Sequence, residues 1–141
     1  MKKIFIDTNI LLDVILRRDG FYKNSAEIWA DCELGKVQGY VSAISLNNMH
    51  YVMRKLVASD IALKYVRFVL NVFSIVPLDD AILRLSVDFP QKDFEDAIQM
   101  FSAVQVKADC IVTRDIAHFS NDYISIVSPE EYCDLIKNER H

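Results

Sequence analysis

A chain of 141 residues that is 52% apolar and 26% charged, with only 3 glycines and 3 prolines, can build a core; it is not disordered, collagenous or low in complexity. Its 16 basic against 20 acidic residues give a net charge of −4, so no overall basic field advertises nucleic acid; a bound cation or a local patch can still carry phosphates. Three cysteines, Cys32, Cys110 and Cys133, lack metal-ligand or CxxC spacing and read as reduced thiols of a cytoplasmic protein, Cys110 as plain core.

In chain order, Ile4-Phe5-Ile6 is too short for a helix, and Asp7 interrupts it before it can serve as the apolar region of a signal peptide. No run approaches the roughly 20 apolar residues of a membrane span. Ile10 to Arg18 has helical spacing and stops at Asp19-Gly20. A second helix is expected from about Asn24 to Leu34, with Ala26, Trp29 and Ala30 inward and Gly35 closing it. Tyr40-Val41 is a second strand. Leu46 to Val57 and Ile61 to Phe73 follow as helices, parted at Ser59-Asp60, where Asp60 offers a cap. Ser74 to Pro77 reads as a short strand or an extended link, and Asp79 caps a helix that reaches Val87. A strongly apolar helix is expected from Asp93 to Val106, buried on most sides; Cys110 to Thr113 is then a buried strand. Tyr123 to Val127 is the last strand, and Ser128-Pro129-Glu130-Glu131 opens a final helix.

Short apolar strands alternating with helices predict an α/β three-layer sandwich with a mainly parallel central sheet, one domain over residues 1–141. An α+β fold is the alternative, but no hairpin signal supports it. Ligands of such sheets sit at the carboxyl ends of the strands. Asp7 follows the first strand and Asp115 follows the Cys110–Thr113 strand. Asp96 lies in the first turn of the helix that runs back into that strand, so all three acids belong to one rim. Each has an ordinary explanation: Asp7 and Asp115 as caps, and Asp96 as a complement to the helix dipole. Their sum argues otherwise. Two carboxylates about 4 Å apart repel by roughly 4 kcal/mol at an effective dielectric of 20. A divalent cation relieves that cost, and oxygen donors favour Mg²⁺ or Mn²⁺. Such a site suits metal-assisted phosphoryl hydrolysis. No GxSxG, Walker or GxGxxG motif competes, and His50, His118 and His141 lack HExxH spacing, so His118 reads as structural or surface.

Phe5-Ile6-Asp7-Thr8-Asn9-Ile10-Leu11-Leu12-Asp13 resembles the opening of a PIN domain, the metal-dependent nuclease family that includes VapC-type toxins. The resemblance continues in Ser42 to Asn48, in Asp93-Phe94-Glu95-Asp96-Ala97-Ile98, and in Ile111-Val112-Thr113-Arg114-Asp115 with His118-Phe119. It implies a Mg²⁺- or Mn²⁺-dependent endoribonuclease, the toxin of a bacterial toxin–antitoxin pair. Asp7, Asp96 and Asp115 would be its metal-binding catalytic acids, and Thr8, Asn9 and Thr113 the residues that hydrogen-bond around them. One position departs. Most PIN nucleases carry a glutamate in the helix after the second strand, where this chain has Asn48. A PIN subgroup similar to this sequence shares that asparagine. An amide oxygen can ligate a metal without adding charge, and Asp93 is either a compensating ligand or an ordinary N-cap. Glu95 is a further rim candidate. The departure also supports an alternative, a catalytically weakened or inactive PIN-fold module that binds RNA or protein. A HAD-like phosphatase also places an acid after its first strand, but Asn9 stands where its second aspartate belongs.

Arg17-Arg18, Arg54-Lys55 and Arg114 are candidate contacts to an RNA backbone or simply solvated charge. The helix from Ile61 to Phe73 carries more apolar residues than one core face needs. It is expected either as a homodimer interface or antitoxin groove, or as a deeply buried helix.

Overall fold

The protein's structure is a computed structural model that describes residues 2–89 and 93–139, with side chains through Leu135. Five strands, β1 (Lys3–Ile6), β2 (Gln38–Ser42), β3 (Ser74–Val76), β4 (Cys110–Val112) and β5 (Ser125–Val127), form one sheet in the order β3-β2-β1-β4-β5. Every pairing is parallel, as in Ile4 with Gly39 and Ile6 with Val112. The helices are α1 (Thr8–Ile15), α2 (Tyr22–Glu33), α3 (Ala43–Arg54), α4 (Ser59–Val72), α5 (Asp80–Asp88), α6 (Phe94–Gln105) and α7 (Pro129–Glu139). Strand order reverses beside β1, which opens a crevice between the carboxyl ends of β1 and β4.

The alternation of a strand assigns the layers. Ile4 and Ile6 face one side and join Leu11, Ile28, Met49, Val69 and Tyr132, from α1, α2, α3, α4 and α7. Phe5 faces the other side with Ile82, Ile98 and Met100, from α5 and α6. The Ile4, Phe5 and Ile6 side chains are fully buried, worth about 1.5–3 kcal/mol each. The sheet is thus covered on both faces. Gly39 in β2 is required by close approach. A Cβ there would lie 2.6 Å from Cys32 Sγ and 2.8 Å from the Phe73 ring.

Several expectations are corrected. The first helix stops at Ile15, one turn short of Arg18, because Arg17 adopts a left-handed φ of 49° and Arg18 folds back to Asp13. Ala30 is exposed, since Ser25, Ile28 and Cys32 set the inward face of α2. Asp60 lies inside the first turn of α4 and does not cap it; the cap position is Ala58, without a side-chain bond. Cys110 is half-buried, and Val104 at the end of α6 is exposed. The deeply buried reading of α4 fails, for only Ala62 and Val69 are buried, while Ile61, Leu63, Phe68 and Leu70 are 44–50% exposed. Asp79 caps α5 through Ile82 N as expected, and Ser128 and Glu131 form the reciprocal capping box of α7.

Candidate active site

Asp7 occupies the backbone cap position of α1, yet its side chain makes no cap bond. It turns into the crevice, where Oδ1 accepts from Gln99 Nε2 at 3.1 Å and Oδ2 from Thr113 Oγ1 at 2.8 Å. Asp7 N donates to Val112 O, tying this corner to the end of β4. The Gln99 amide works at both ends, because Thr8 N donates to its Oε1 at 3.3 Å. Thr113 Oγ1 in turn accepts from Asp115 N at 3.0 Å. Asn9 Nδ2 donates to Asp115 Oδ2 at 3.2 Å. Asp115 stands at the cap position of a 3₁₀ turn (Ile116–His118) without a side-chain cap bond. The capping explanation therefore fails for Asp7 and Asp115.

It holds for Asp93. Its Oδ1 accepts from Glu95 N at 2.8 Å and Asp96 N at 3.3 Å, capping α6. Asp96, one turn in, points its Oδ2 to within 3.8 Å of His118 Nδ1. The Thr8 hydroxyl lies 2.7 Å from Ser45 Oγ and 3.3 Å from Glu95 Oε1.

These groups surround one cavity of about 260 Å³. Asp7, Asp93, Glu95, Asp96 and Asp115 line it together with Asn9, Asn48, Gln99 and His118, and among the described residues no lysine or arginine does. Burial raises the Asp7 carboxyl above the usual range, against the pull of its bonds to Thr113 and Gln99, and Asp115 and Glu95 raise it further. Burial, then Asp93 and Asp7, push Asp96 up to about 7. This cavity is electrostatically short of positive charge. Among the described residues, no three His, Cys, Asp or Glu side chains form a ready-made metal cage. The acids share a cavity rather than a preformed coordination sphere, and several of their oxygens are engaged by Gln99, Thr113, Asn9 and the α6 backbone.

Of the arginines singled out in the sequence, none lines this cavity. Arg54 is exposed at the end of α3. Arg17 is exposed with its guanidinium 5.6 Å from the Tyr22 ring centroid. Arg114 Nε sits 3.1 Å from Asp13 Oδ2. Sequence reasoning passed over Gln99, Ser45, Asp13 and the place of His118. A lone amide inside the apolar run of α6, three residues after Asp96, is the signal that singles out Gln99. Nothing local marks Ser45.

A doubly covered parallel sheet with an acid-lined crevice at its switch point defines the class: an α/β protein whose candidate site lies where such sheets bind ligands. The chain belongs to the PIN domain family, whose profile matches residues 3–117. It is 25% identical over 138 residues to Ribonuclease VapC1 of Aquifex aeolicus, across 94% of both chains. Its fold is similar to that of VapBC2 from Rickettsia felis bound to a promoter DNA fragment (TM-score 0.66, 15% identity, 89% of this chain and 98% of that one). It is likewise similar to a toxin–antitoxin complex from Klebsiella pneumoniae (TM-score 0.67, 22% identity, 89% and 97%).

Proposed function

We propose that this protein is a Mg²⁺- or Mn²⁺-dependent endoribonuclease that hydrolyses RNA phosphodiester bonds as the cytoplasmic toxin of a bacterial toxin–antitoxin pair. The observation that carries the reading is the cavity itself: five carboxylates, and among the described residues no lysine or arginine, in the crevice of a PIN fold. The likeness to a ribonuclease VapC1 and to toxin–antitoxin structures supports the biological role.

The residues present fit a divalent cation by donor chemistry. Carboxylate and amide oxygens dominate the lining, and among the described residues His118 is its one imidazole and no thiol is present, a set that suits a hard ion over zinc. Asp7, Asp96 and Asp115 would hold it, with Asn48 and the uncapping oxygen of Asp93 completing the set. When bound, the cation offsets the carboxylate repulsion and supplies Lewis acidity that activates water and steadies charge on the phosphate. The protein's own part is positioning. Gln99 and Thr113 grip both oxygens of Asp7, and Asn9 grips Asp115, so these acids are oriented before RNA arrives. Asp96 holds its proton at the carboxyl up to about pH 7 and yields it as positive charge enters. Hydrolysis joins a water oxygen to phosphorus and releases a ribose oxygen, which leaves with a proton.

The partners we assign are RNA, an antitoxin protein and a second copy of this chain, with the exposed apolar face of α4 as the docking surface. No helix among the described residues is long and apolar enough to cross a membrane. The test is cleavage of structured and unstructured RNA in Mg²⁺, Mn²⁺ or chelator, alongside Asp7→Asn. Cleavage that needs the cation and is lost in Asp7→Asn is expected. Stoichiometric RNA binding without cleavage under any condition would favour the inactive binding module, for which Asn48 in the cavity lining is the supporting feature.

A further inference from the structure

Arg114 and its chain neighbour Asp115 line different cavities. Asp115, its neighbour, lines the acid cleft. Arg114 itself lines a second cavity of about 240 Å³ with Phe21, Asn24, Ser128 and Glu130. Consecutive Cα atoms are about 3.8 Å apart, so the two side chains that line these cavities start from neighbouring points of the backbone. Both lie at the carboxyl edge of the sheet, after β4 and β5.

Behind Arg114 is a fully buried carboxylate. Asp13 Oδ2 lies 3.1 Å from Arg114 Nε, and Asp13 Oδ1 lies 3.2 Å from Arg18 Nη1. Apolar residues of similar size would usually fill such a place at no loss of stability, so stability is a weak reason for burying this charge. Two guanidinium groups on one carboxylate leave the cluster at +1. The second constraint is a stack, with Arg114 Cζ 4.1 Å from the centroid of the Phe21 ring. The contact with Asp13 is an ion pair without hydrogen-bond geometry, so charge and the ring face, not a bonded edge, hold the guanidinium. A quarter of the side chain is exposed, which leaves part of it for a ligand. A fixed planar fork of N–H donors suits a phosphate.

We infer that Arg114, braced by Asp13 and Phe21, binds the RNA phosphate adjoining the one that is hydrolysed. This rests on the ribonuclease reading above. A cleft lined by five carboxylates repels a polyanion, and a guanidinium one residue from Asp115 supplies the attraction while setting the register of the strand. Asn24 and Glu130, on the same cavity, suit ribose hydroxyls and base edges. Asp13 and Phe21 act through Arg114 as positioning residues.

The test is binding of a short labelled single-stranded RNA across a salt series, with Mg²⁺ present and Asp7→Asn as the uncleaving parent, paired with cleavage kinetics in the active protein. Removing Arg114 alone would leave the buried Asp13 with Arg18 as its one guanidinium, so the variant is the double change Asp13→Asn with Arg114→Gln, which removes one charge of each sign. The slope of log affinity against log salt should fall by about 0.7, the share of one phosphate on a single strand. KM should rise about tenfold or more, as for a lost charged hydrogen bond, with kcat nearly unchanged. Arg114→Lys should keep the slope and lose part of the affinity. Phe21→Ala should raise KM, and Arg84→Ala, on exposed α5, should change neither. An unchanged slope in a folded double variant overturns the inference while leaving the ribonuclease reading intact. A fall in kcat at constant KM overturns it too, because Arg114 would then serve Asp115 rather than RNA. Wild-type protein that neither binds nor cuts RNA removes both readings together.

Discussion

Replacing Asp96 with asparagine removes a carboxylate that burial, Asp93 and Asp7 together hold at about 7, against 3.8 for the free side chain. The sign follows from linkage. An acid whose folded pKa is raised binds its proton more tightly in the folded state. Its contribution is therefore most favourable below about pH 4 and is lost as pH rises towards 7 and beyond. At about 1.36 kcal/mol per pKa unit the full penalty would slightly exceed 4 kcal/mol. Because 17% of the side chain still meets solvent, screening brings the expected figure to about 1–2 kcal/mol. Metal-free Asp96→Asn should therefore melt above wild type at pH 8, by several degrees, and the two should converge near pH 4. Cation reverses the order. At 100 dissociation constants of Mn²⁺ the wild type gains about 2.7 kcal/mol by mass action, and the variant gains much less. Thermal melts at pH 4, 6 and 8, with and without Mn²⁺, read all of this. A variant less stable than wild type at pH 8 without metal, or equally stabilised by Mn²⁺, would refute the reasoning.

Gln99→Leu keeps the volume but leaves Asp7 Oδ1 and Thr8 N without their partner; denaturant unfolding should show a loss of about 2–3 kcal/mol. Asn48→Glu should tighten Mn²⁺ in calorimetric titration and cost the metal-free protein about 1 kcal/mol by added like charge. Unchanged affinity there and in Asp93→Asn would exclude both side chains from the metal. Gly39→Ala must displace Cys32 or Phe73 and should cost about 1–3 kcal/mol in chemical denaturation. In sedimentation the wild type should run as a dimer, and Phe68→Glu on the exposed face of α4 should leave the fold intact and run as a monomer.

The parallel sheet and its acid rim were legible because they rest on local chemistry. Three apolar residues ending in Asp7, and three more ending just before Asp115, mark strand ends wherever they occur. Their convergence with Asp96 follows from the direction a helix must take between parallel strands. What was not legible depends on contacts remote in sequence. Arg17 takes a left-handed conformation, and α1 ends early, beside a charge cluster that includes Arg114, far along the chain. Ala30 faces water because packing on α7 and α4 rotates α2 about its axis, which the 3.6-residue period alone does not set. Asp93 needed the structure to separate a cap from a ligand, since both place an acid at the same helix start. Gln99 is read correctly only once Asp7 is seen across the crevice.

The central claim is that RNA phosphate and a hard divalent cation meet in the Asp7–Asp96–Asp115 cleft, and sulfur substitution tests it most directly. Cleavage of ordinary RNA is compared with cleavage of the same RNA carrying sulfur for a non-bridging phosphate oxygen, in Mg²⁺ and in Mn²⁺. Mn²⁺ accepts the softer sulfur better than Mg²⁺ does. The account predicts that ordinary RNA is cut with either cation, and that the sulfur-substituted RNA is cut well only with Mn²⁺. Equal cleavage of both RNAs in Mg²⁺, or cleavage of either in chelator, would contradict it.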